Sequence, residues 1–263
     1  FVMSTPATVQ TAAATDIPGL IIPPRKLDAR WHLWLLRIVA RLMLGLFGWY
    51  FPMRIVGIEQ IPAEGPLLVV ANHLSVMDIP TVGAILVQRG WHPGVNMFAI
   101  AKQELFHKRL VGSLAALIGM FPIYRNQIDL NAMRTMLTIL RRGYLLGIAP
   151  EGTRSPTGHL QLFQPGVAKM AIQRRVPILP FGITGVEKVM PIGSRFPRRV
   201  PITIRVGPVF ELSAYYGRDL APEELERAAW ELRAHVAELL PAWMQELPPD
   251  DAQVRFGSVL SRT

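Results

Sequence analysis

No cysteine occurs among the 263 residues of the chain. This absence excludes disulfide bonds, thiolate metal sites and a cysteine nucleophile, so covalent catalysis through sulfur is not available. Negative charge is also scarce, because 19 Asp and Glu stand against 28 Lys and Arg, for a formal net charge of +9. Most of these cations are arginines, which pair better than lysines with phosphate and carboxylate oxygens in a bidentate way.

The chain is basic and yet apolar. Hydrophobic residues make up 50% of it, enough for a substantial core, and its mean hydropathy is +0.27. Basic proteins that bind nucleic acid are polar on average, and the sequence has neither a nucleic-acid motif nor aromatic and basic residues interleaved on one face. The composition therefore favours an anionic membrane surface over nucleic acid as a partner, with GC-rich codon usage as the alternative explanation for the excess of arginine.

The first 51 residues differ from the rest. The opening stretch is rich in Ala, Thr and Pro and lacks the charged start and apolar centre of a signal peptide, so we predict a disordered lead-in over residues 1–26. Residues 27–51 have a helical pattern with Arg37 and Arg41 one turn apart on one face. Because a charged side chain is costly at mid-bilayer, the pattern favours a membrane-associated helix in the interface over a spanning helix or an ordinary core helix.

Beyond Pro52, short apolar runs alternate with longer segments of helical periodicity, which is typical of an α/β domain. We predict a mixed, mostly parallel central sheet flanked by helices over residues 52–247, followed by a flexible tail over residues 248–263. The predicted strands are Leu67–Ala71, Met97–Ala101, Met120–Tyr124, Leu145–Ala149, Ile178–Thr184 and Ile202–Val206. The predicted helices are Ser75–Val87, Gln103–Ile118, Asp129–Arg142, Pro165–Arg174 and Pro222 to about Leu240.

A histidine and an aspartate follow the first of these strands. The run LLVVANHLSVMDIP places Asn72 and His73 directly after the strand, then Ser75 and Asp78 in the Ser-x-x-acid spacing that starts a helix. His73 therefore lies at the carboxyl end of a strand, where open α/β sheets bind ligands and where a carboxylate can hold one imidazole nitrogen while the other reaches a substrate. The alternative is that Ser75 and Asp78 only cap the helix and that His73 lies at the surface.

Other strands are also followed by polar residues. Glycine permits close approach of a ligand to the backbone, and threonine, lysine and arginine supply donors for an anionic oxygen. Several cations at one edge of a sheet would build a phosphate pocket, whereas a simple turn with solvated loop cations is the alternative. The residues concerned are Lys102, Arg125, Glu151, Gly152, Thr153 and Arg154.

In order and spacing, four blocks of the chain resemble the motifs of the glycerolipid acyltransferase family, typified by bacterial 1-acyl-sn-glycerol-3-phosphate acyltransferase. The segment Phe163–Gly166 also resembles the Phe-Lys-x-Gly element of this family, with Gln164 in place of lysine. The blocks and the pattern that connects them cover about residues 50–210. The four blocks are Asn72–Asp78 (NHLSVMD), Gly119–Arg125 (GMFPIYR), Pro150–Ser155 (PEGTRS) and Val176–Pro180 (VPILP).

The resemblance implies an enzyme that moves a fatty acyl group from acyl-CoA or acyl carrier protein to the sn-2 hydroxyl of lysophosphatidic acid, giving phosphatidic acid, with no metal or cofactor. It implies that His73 is the general base and that Asp78 orients it. This chemistry suits an alcohol, which is a poor nucleophile until an imidazole accepts its proton. Asn72 then positions the loop or bonds near the developing oxyanion, and Ser75 suits a cap better than a nucleophile.

The resemblance also implies a binding site for the lysophospholipid acceptor. The arginines would bind its phosphate, Lys102 would join the same pocket, and Glu151 would bind a glycerol hydroxyl or hold an arginine. The residues that would contact the acceptor are Arg125, Glu151, Gly152, Thr153 and Arg154.

Because such acyl donors are cytosolic and the acceptor lies in a bilayer, the resemblance implies a peripheral or monotopic protein on the cytoplasmic face of the cell membrane. One alternative is an enzyme of the same family that acts on another lysolipid or on a glycolipid or ornithine lipid. An alternative of another class is a non-catalytic lipid-binding protein. No metal site is predicted, because the remaining histidines have no partners at ligand spacing. These are His32, His92, His107, His159 and His235.

Overall fold

The computed structural model of the protein describes residues 38, 50–107, 109–124, 129–189 and 198–247. In these ranges the chain folds around a seven-stranded sheet with helices packed on both faces. The strands are β1 (Met53–Val56), β2 (Leu67–Ala71), β3 (Met97–Lys102), β4 (Met120–Ile123), β5 (Leu145–Ile148), β6 (Ile178–Thr184) and β7 (Ile202–Val206). The α-helices are α1 (Asp78–Val87), α2 (Arg109–Leu117), α3 (Leu130–Arg141), α4 (Pro165–Arg174), α5 (Val186–Val189), α6 (Pro222–Ala237) and α7 (Ala242–Gln245).

The strand order is β1-β7-β6-β2-β5-β3-β4. The five strands from β2 to β6 run parallel, whereas β7 is antiparallel to β6, and β1 is parallel to β7. The amino ends of β1 and β7 therefore lie at the same edge of the sheet as the carboxyl ends of the other five strands. The prediction of a mixed, mostly parallel sheet flanked by helices is confirmed.

The side chains of β2 alternate between two cores, as the pleat of a strand requires. Leu68 and Val70 pack in a core built with α3, α4 and α6 on one face of the sheet. Leu67 and Val69 pack in a second core, built with α1 on the other face. Because β2 is buried on both faces in the middle of the sheet, the residues that follow it start from a rigid support.

Apart from shifts at element ends and the short helices α5 and α7, which were not predicted, the elements differ from the sequence prediction in three places. β1 was not predicted, because a four-residue edge strand that contains the exposed Arg54 has too short an apolar pattern to detect. The predicted helix from Ser75 begins only at Asp78, since the preceding residues form a turn whose N–H groups bond to the Asp78 carboxylate. The predicted helix Gln103–Ile118 is divided into a 3-10 turn, Gln103–His107, and α2.

The predicted lead-in (1–26) and tail (248–263) lie outside the described residues. The predicted membrane-associated helix (27–51) also lies outside them, apart from residues 38, 50 and 51. Within the described ranges, no helix has the length and apolar character needed to cross a membrane.

Candidate active site

The Asn72–Asp78 and Pro150–Ser155 motifs meet at the edge of the sheet formed by the carboxyl ends of β2 and β5, whereas Val176–Pro180 leads into the amino end of β6 at the opposite edge. β2 pairs with β5, and β5 pairs with β3, so the loops after these parallel strands leave the sheet side by side. Lys102, the last residue of β3, is exposed at this edge. Because neighbouring strands lie about 4.8 Å apart, the end of β3 is about 10 Å from the end of β2.

His73 and Asp78 form a hydrogen-bonded pair in the loop after β2. Nδ1 of His73 lies 2.9 Å from Oδ2 of Asp78, and the two side chains are 12% and 5% exposed. The same carboxylate oxygen accepts the backbone N–H groups of Leu74 and Ser75, each at 2.8 Å. An oxygen that faces these two donors acts as an acceptor, so Nδ1 of His73 carries the proton and Nε2 has its lone pair free. The arrangement suits a general base.

The loop after β5 holds the backbone of His73. The N–H of His73 donates to Oε1 of Glu151 at 2.7 Å, and its C=O accepts the N–H of Ser155 at 2.8 Å. Two of the sequence motifs are therefore joined directly at His73. The reading in which His73 is only a surface residue beside a capped helix does not fit, because its ring and both of its backbone polar groups are bound.

Asn72 and Ser75 use their polar groups within the protein. The Asn72 amide donates to the C=O of Ile183 in β6 and accepts the N–H of the same residue, both at 2.8 Å. This pair of bonds extends the contact between β2 and β6, and it favours loop positioning over a contact with the developing oxyanion. Ser75 is fully buried, and its Oγ accepts the N–H of Met77 at 3.4 Å, within the turn before α1.

Among the described residues the Glu151 carboxyl bonds to backbone N–H groups and to no motif arginine, whereas the resemblance implies that it binds a glycerol hydroxyl or holds an arginine. Its side chain is buried, and its second oxygen, Oε2, accepts the N–H of Gln161 at 3.1 Å. Burial raises the pKa of Glu151 to about 8, against the opposite effects of the two N–H bonds and of the nearby Arg233 guanidinium. Each oxygen of the Glu151 carboxyl therefore accepts a backbone N–H group, one from His73 and one from Gln161.

The next three residues form the open part of this loop. Gly152 has a φ of 72°, which favours glycine, and its N–H closes a turn on the C=O of Ala149 at 3.1 Å. Thr153 and Arg154 are partly exposed, and their side chains make no hydrogen bond or ion pair with other described residues. Their donors are free for a ligand. Arg125 lies outside the described residues.

Two residues of this site, Gln161 and Arg233, were missed in the sequence. Gln161 gave no signal, because it lies in a polar loop without a recognisable pattern. Arg233 did give a sequence signal, because this charged residue interrupts the apolar face of α6 between the buried Leu232 and Val236. In the described part of the chain no cluster of three His, Asp or Glu side chains is placed to hold a metal ion.

Known proteins resemble this chain over much of its length. The chloroplastic 1-acyl-sn-glycerol-3-phosphate acyltransferase LPAT1 of Arabidopsis thaliana is 29% identical over 150 residues, which are 55% of this chain and 39% of that protein. The 1-acyl-sn-glycerol-3-phosphate acyltransferase of Borreliella burgdorferi is 26% identical over 190 residues, 70% of this chain and 73% of that protein. This chain thus spans about two fifths of the Arabidopsis relative.

The comparison with solved structures also finds an acyltransferase. The crystal structure of the 1-acyl-sn-glycerophosphate acyltransferase PlsC from Thermotoga maritima matches with a TM-score of 0.63 at 24% identity, over 81% of this chain and 83% of that one, which shows a shared fold. The Acyltransferase family model matches residues 52–184, half of the chain, and this range includes His73, Asp78 and Glu151. The chain therefore belongs to the acyltransferase family.

Proposed function

We propose that this protein is a membrane-associated acyltransferase that moves a fatty acyl group from acyl-CoA or acyl carrier protein to the sn-2 hydroxyl of lysophosphatidic acid, giving phosphatidic acid. The observation that carries the proposal is the His73–Asp78 pair, with its 2.9 Å bond at the sheet edge where the Asn72–Asp78 and Pro150–Ser155 motifs meet. The printed names of the relatives, 1-acyl-sn-glycerol-3-phosphate acyltransferases, support the choice of acceptor.

The proposed reaction passes the acyl group directly from donor to acceptor. Nε2 of His73 accepts the proton of the lysolipid hydroxyl as the hydroxyl oxygen attacks the thioester carbonyl carbon. The tetrahedral intermediate collapses, the C–S bond breaks, and the imidazolium returns the proton to the departing thiolate. Asp78 stabilises the imidazolium between these steps. An ester and a thiol are formed, and no cofactor takes part besides the acyl donor.

The acceptor phosphate would bind on the cations at this edge. Arg154 and Thr153 have free donors in the loop after β5, and Lys102 lies two strands from the end of β2. An arginine and a lysine around one phosphate give both a bidentate contact and a point charge. We propose that Arg125, in the loop after β4, completes this pocket.

The direction of β1 supports a membrane-facing active site. The chain reaches β1 through Tyr50, whose C=O accepts a bond from Nε of Arg199, just before β7, at 2.9 Å. Because β1 and β7 are antiparallel to β2, this entry lies at the same sheet edge as His73. A helix over residues 27–51 in the lipid interface would therefore hold this edge against the lipid that contains the acceptor. We propose a peripheral or monotopic protein on the cytoplasmic face of the cell membrane.

The test is acyl transfer from radiolabelled acyl-CoA to a panel of lysolipids in mixed micelles. The panel holds lysophosphatidic acid, other lysophospholipids and a phosphate-free lyso-ornithine lipid. We expect wild type to acylate lysophosphatidic acid, His73→Ala to lose transfer, and His107→Ala to keep it, since His107 lies exposed in the 3-10 turn after β3. Arg154→Ala should raise KM for phosphate-bearing acceptors more than it lowers kcat.

Each contrary outcome of this test has its own meaning. Appreciable turnover by His73→Ala would remove this residue as the base. Transfer to the phosphate-free acceptor alone would favour another lipid as substrate and would contradict the phosphate pocket. Binding of lysolipid by wild type without any transfer, from acyl-CoA or acyl carrier protein, would favour the non-catalytic lipid-binding alternative.

A further inference from the structure

Arg233 is a buried cation in α6, beyond residues 52–184 that match the family model. Its guanidinium donates to three backbone carbonyls in two separate segments. Nη2 bonds to the C=O of Leu160 at 2.8 Å and to that of Gln245 at 2.7 Å, and Nε bonds to the C=O of Gln161 at 3.1 Å. Burying a charge is costly unless donors and acceptors are paired, so a side chain with three such contacts fixes the segments that it joins.

The segment held by Arg233 in turn holds the loop around Glu151. The N–H of Gln161 donates to Oε2 of Glu151 at 3.1 Å, and the Gln161 side chain donates to Oγ of Ser155 at 3.2 Å. Glu151 and Ser155 are the two residues that bond to the backbone of His73, at 2.7 and 2.8 Å. An unbroken series of hydrogen bonds therefore runs from α6 to the N–H and C=O of His73.

We propose that Arg233 is a positioning residue for His73, acting through Gln161, Glu151 and Ser155, an inference that rests on the proposed acyl transfer. The His73 side chain is oriented by Asp78, but the place of its backbone depends on the loop after β5. That loop is irregular between Glu151 and Gln164, so its own secondary structure does not hold it. A displacement of about 1 Å in a catalytic group can lower a rate by about 100-fold.

The experiment compares Arg233→Ala with Arg227→Ala in the full chain. Arg227 lies on the same helix, is exposed, and bonds only weakly to its own helix, through Nε to the C=O of Glu223 at 3.5 Å. At a temperature well below both melting points, we expect Arg233→Ala to lower kcat about 10- to 100-fold with little change in KM, and Arg227→Ala to match wild type. Millimolar ethylguanidinium should restore part of the activity of Arg233→Ala and should leave the activity of wild type and of Arg227→Ala unchanged.

Amide hydrogen exchange gives a readout that does not depend on turnover. The His73 N–H should exchange at least about tenfold faster in Arg233→Ala, whereas the β2 core amide of Leu68, which bonds to the C=O of Pro177, should change less. Equal acceleration at both amides, or wild-type kcat in Arg233→Ala, would show a purely structural role and overturn the proposal.

The proposal can still be tested if Arg233→Ala does not fold or if wild type shows no acyl transfer. If Arg233→Ala does not fold, Arg233→Lys keeps the charge but loses the planar fork, and an intermediate kcat with faster exchange at His73 supports the proposal. Wild-type kcat and exchange in Arg233→Lys would overturn it. If wild type transfers no acyl group at all, the proposed function fails, and the exchange at His73 alone decides whether Arg233 positions this residue.

Discussion

Replacing Asp78 by Asn separates two effects of this carboxylate on His73. Oδ2 of Asp78 accepts three N–H groups, from the His73 ring, Leu74 and Ser75, at 2.8 to 2.9 Å. In Asp78→Asn the amide oxygen should occupy the position of Oδ2, because an NH2 group there would face two backbone donors. The tautomer and the orientation of the His73 ring are then kept, and for the ring only the negative charge is lost, while the new NH2 group takes the buried place of Oδ1, which has no hydrogen-bond partner among the described residues.

The size of the loss follows from this charge. An imidazolium and a carboxylate about 4 Å apart attract each other by about 4 kcal/mol at an effective dielectric constant of 20. The neutral amide keeps a hydrogen bond of about 1 kcal/mol. The remaining loss of about 3 kcal/mol should lower kcat about 100-fold. This is less than the roughly 10⁴-fold loss in a catalytic triad, where the same substitution reverses the tautomer.

Asp78→Ala should be worse than Asp78→Asn in both activity and stability. It removes the orientation of the ring as well as the charge, so kcat should fall at least about tenfold further. It also leaves the buried N–H groups of Leu74 and Ser75 unpaired, which should lower the free energy of unfolding by about 2 to 4 kcal/mol. The assay is kcat for transfer to lysophosphatidic acid in mixed micelles, with urea unfolding of the same samples. Equal kcat in the two variants would refute the reasoning, because the backbone donors would then not orient the amide.

Two further predictions concern the groups that hold the backbone of this loop. Because burial raises the pKa of Glu151 to about 8, the native state holds a proton that the unfolded state releases above about 4.5, so the free energy of unfolding should fall as pH rises from 4.5 to 8. Glu151→Gln should flatten this slope by up to about 1.4 kcal/mol per pH unit in urea titrations, and parallel profiles would contradict the prediction. Asn72→Ala should cost about 2 to 4 kcal/mol, since it leaves the buried N–H and C=O of Ile183 unpaired. The exposed Asn131→Ala should cost under about 0.5 kcal/mol in the same urea experiment, and a similar loss in both variants would exclude a special role of Asn72.

The sequence predicted most of the sheet and the place of the site. Three strands have the predicted bounds, Leu67–Ala71, Ile178–Thr184 and Ile202–Val206, because buried strands give continuous apolar runs between clear breaks. The relation of His73 to Asp78 also followed from the sequence, since five residues at a strand-to-helix corner bring the two side chains together locally. The division into a lead-in, a membrane-associated helix and a tail stays a prediction.

Contacts between distant segments could not be predicted from the sequence. Asn72 bonds to a residue 111 positions away, and Glu151 bonds to His73 across 78 positions. No local pattern shows whether a loop carboxylate will meet a substrate or a backbone N–H, because the answer depends on which strands become neighbours. The Glu151 carboxyl bonds to backbone N–H groups from two other segments for this reason, whereas the side chains of Thr153 and Arg154 in the same loop bond to no described residue.

Local contacts orient the ring of His73, whereas contacts with distant segments hold its backbone. Its ring is oriented by a carboxylate five residues away, so any chain with this corner can form the pair. Its backbone is held by Glu151 and Ser155, whose loop depends on α6 through Arg233. If His73 is the base, as proposed, the rate depends on its position as well as on its protonation, so the local His73–Asp78 motif is not sufficient to place it. In the proposed mechanism, α6 therefore belongs to the part of the fold that places His73, although it lies beyond residues 52–184 that match the family model.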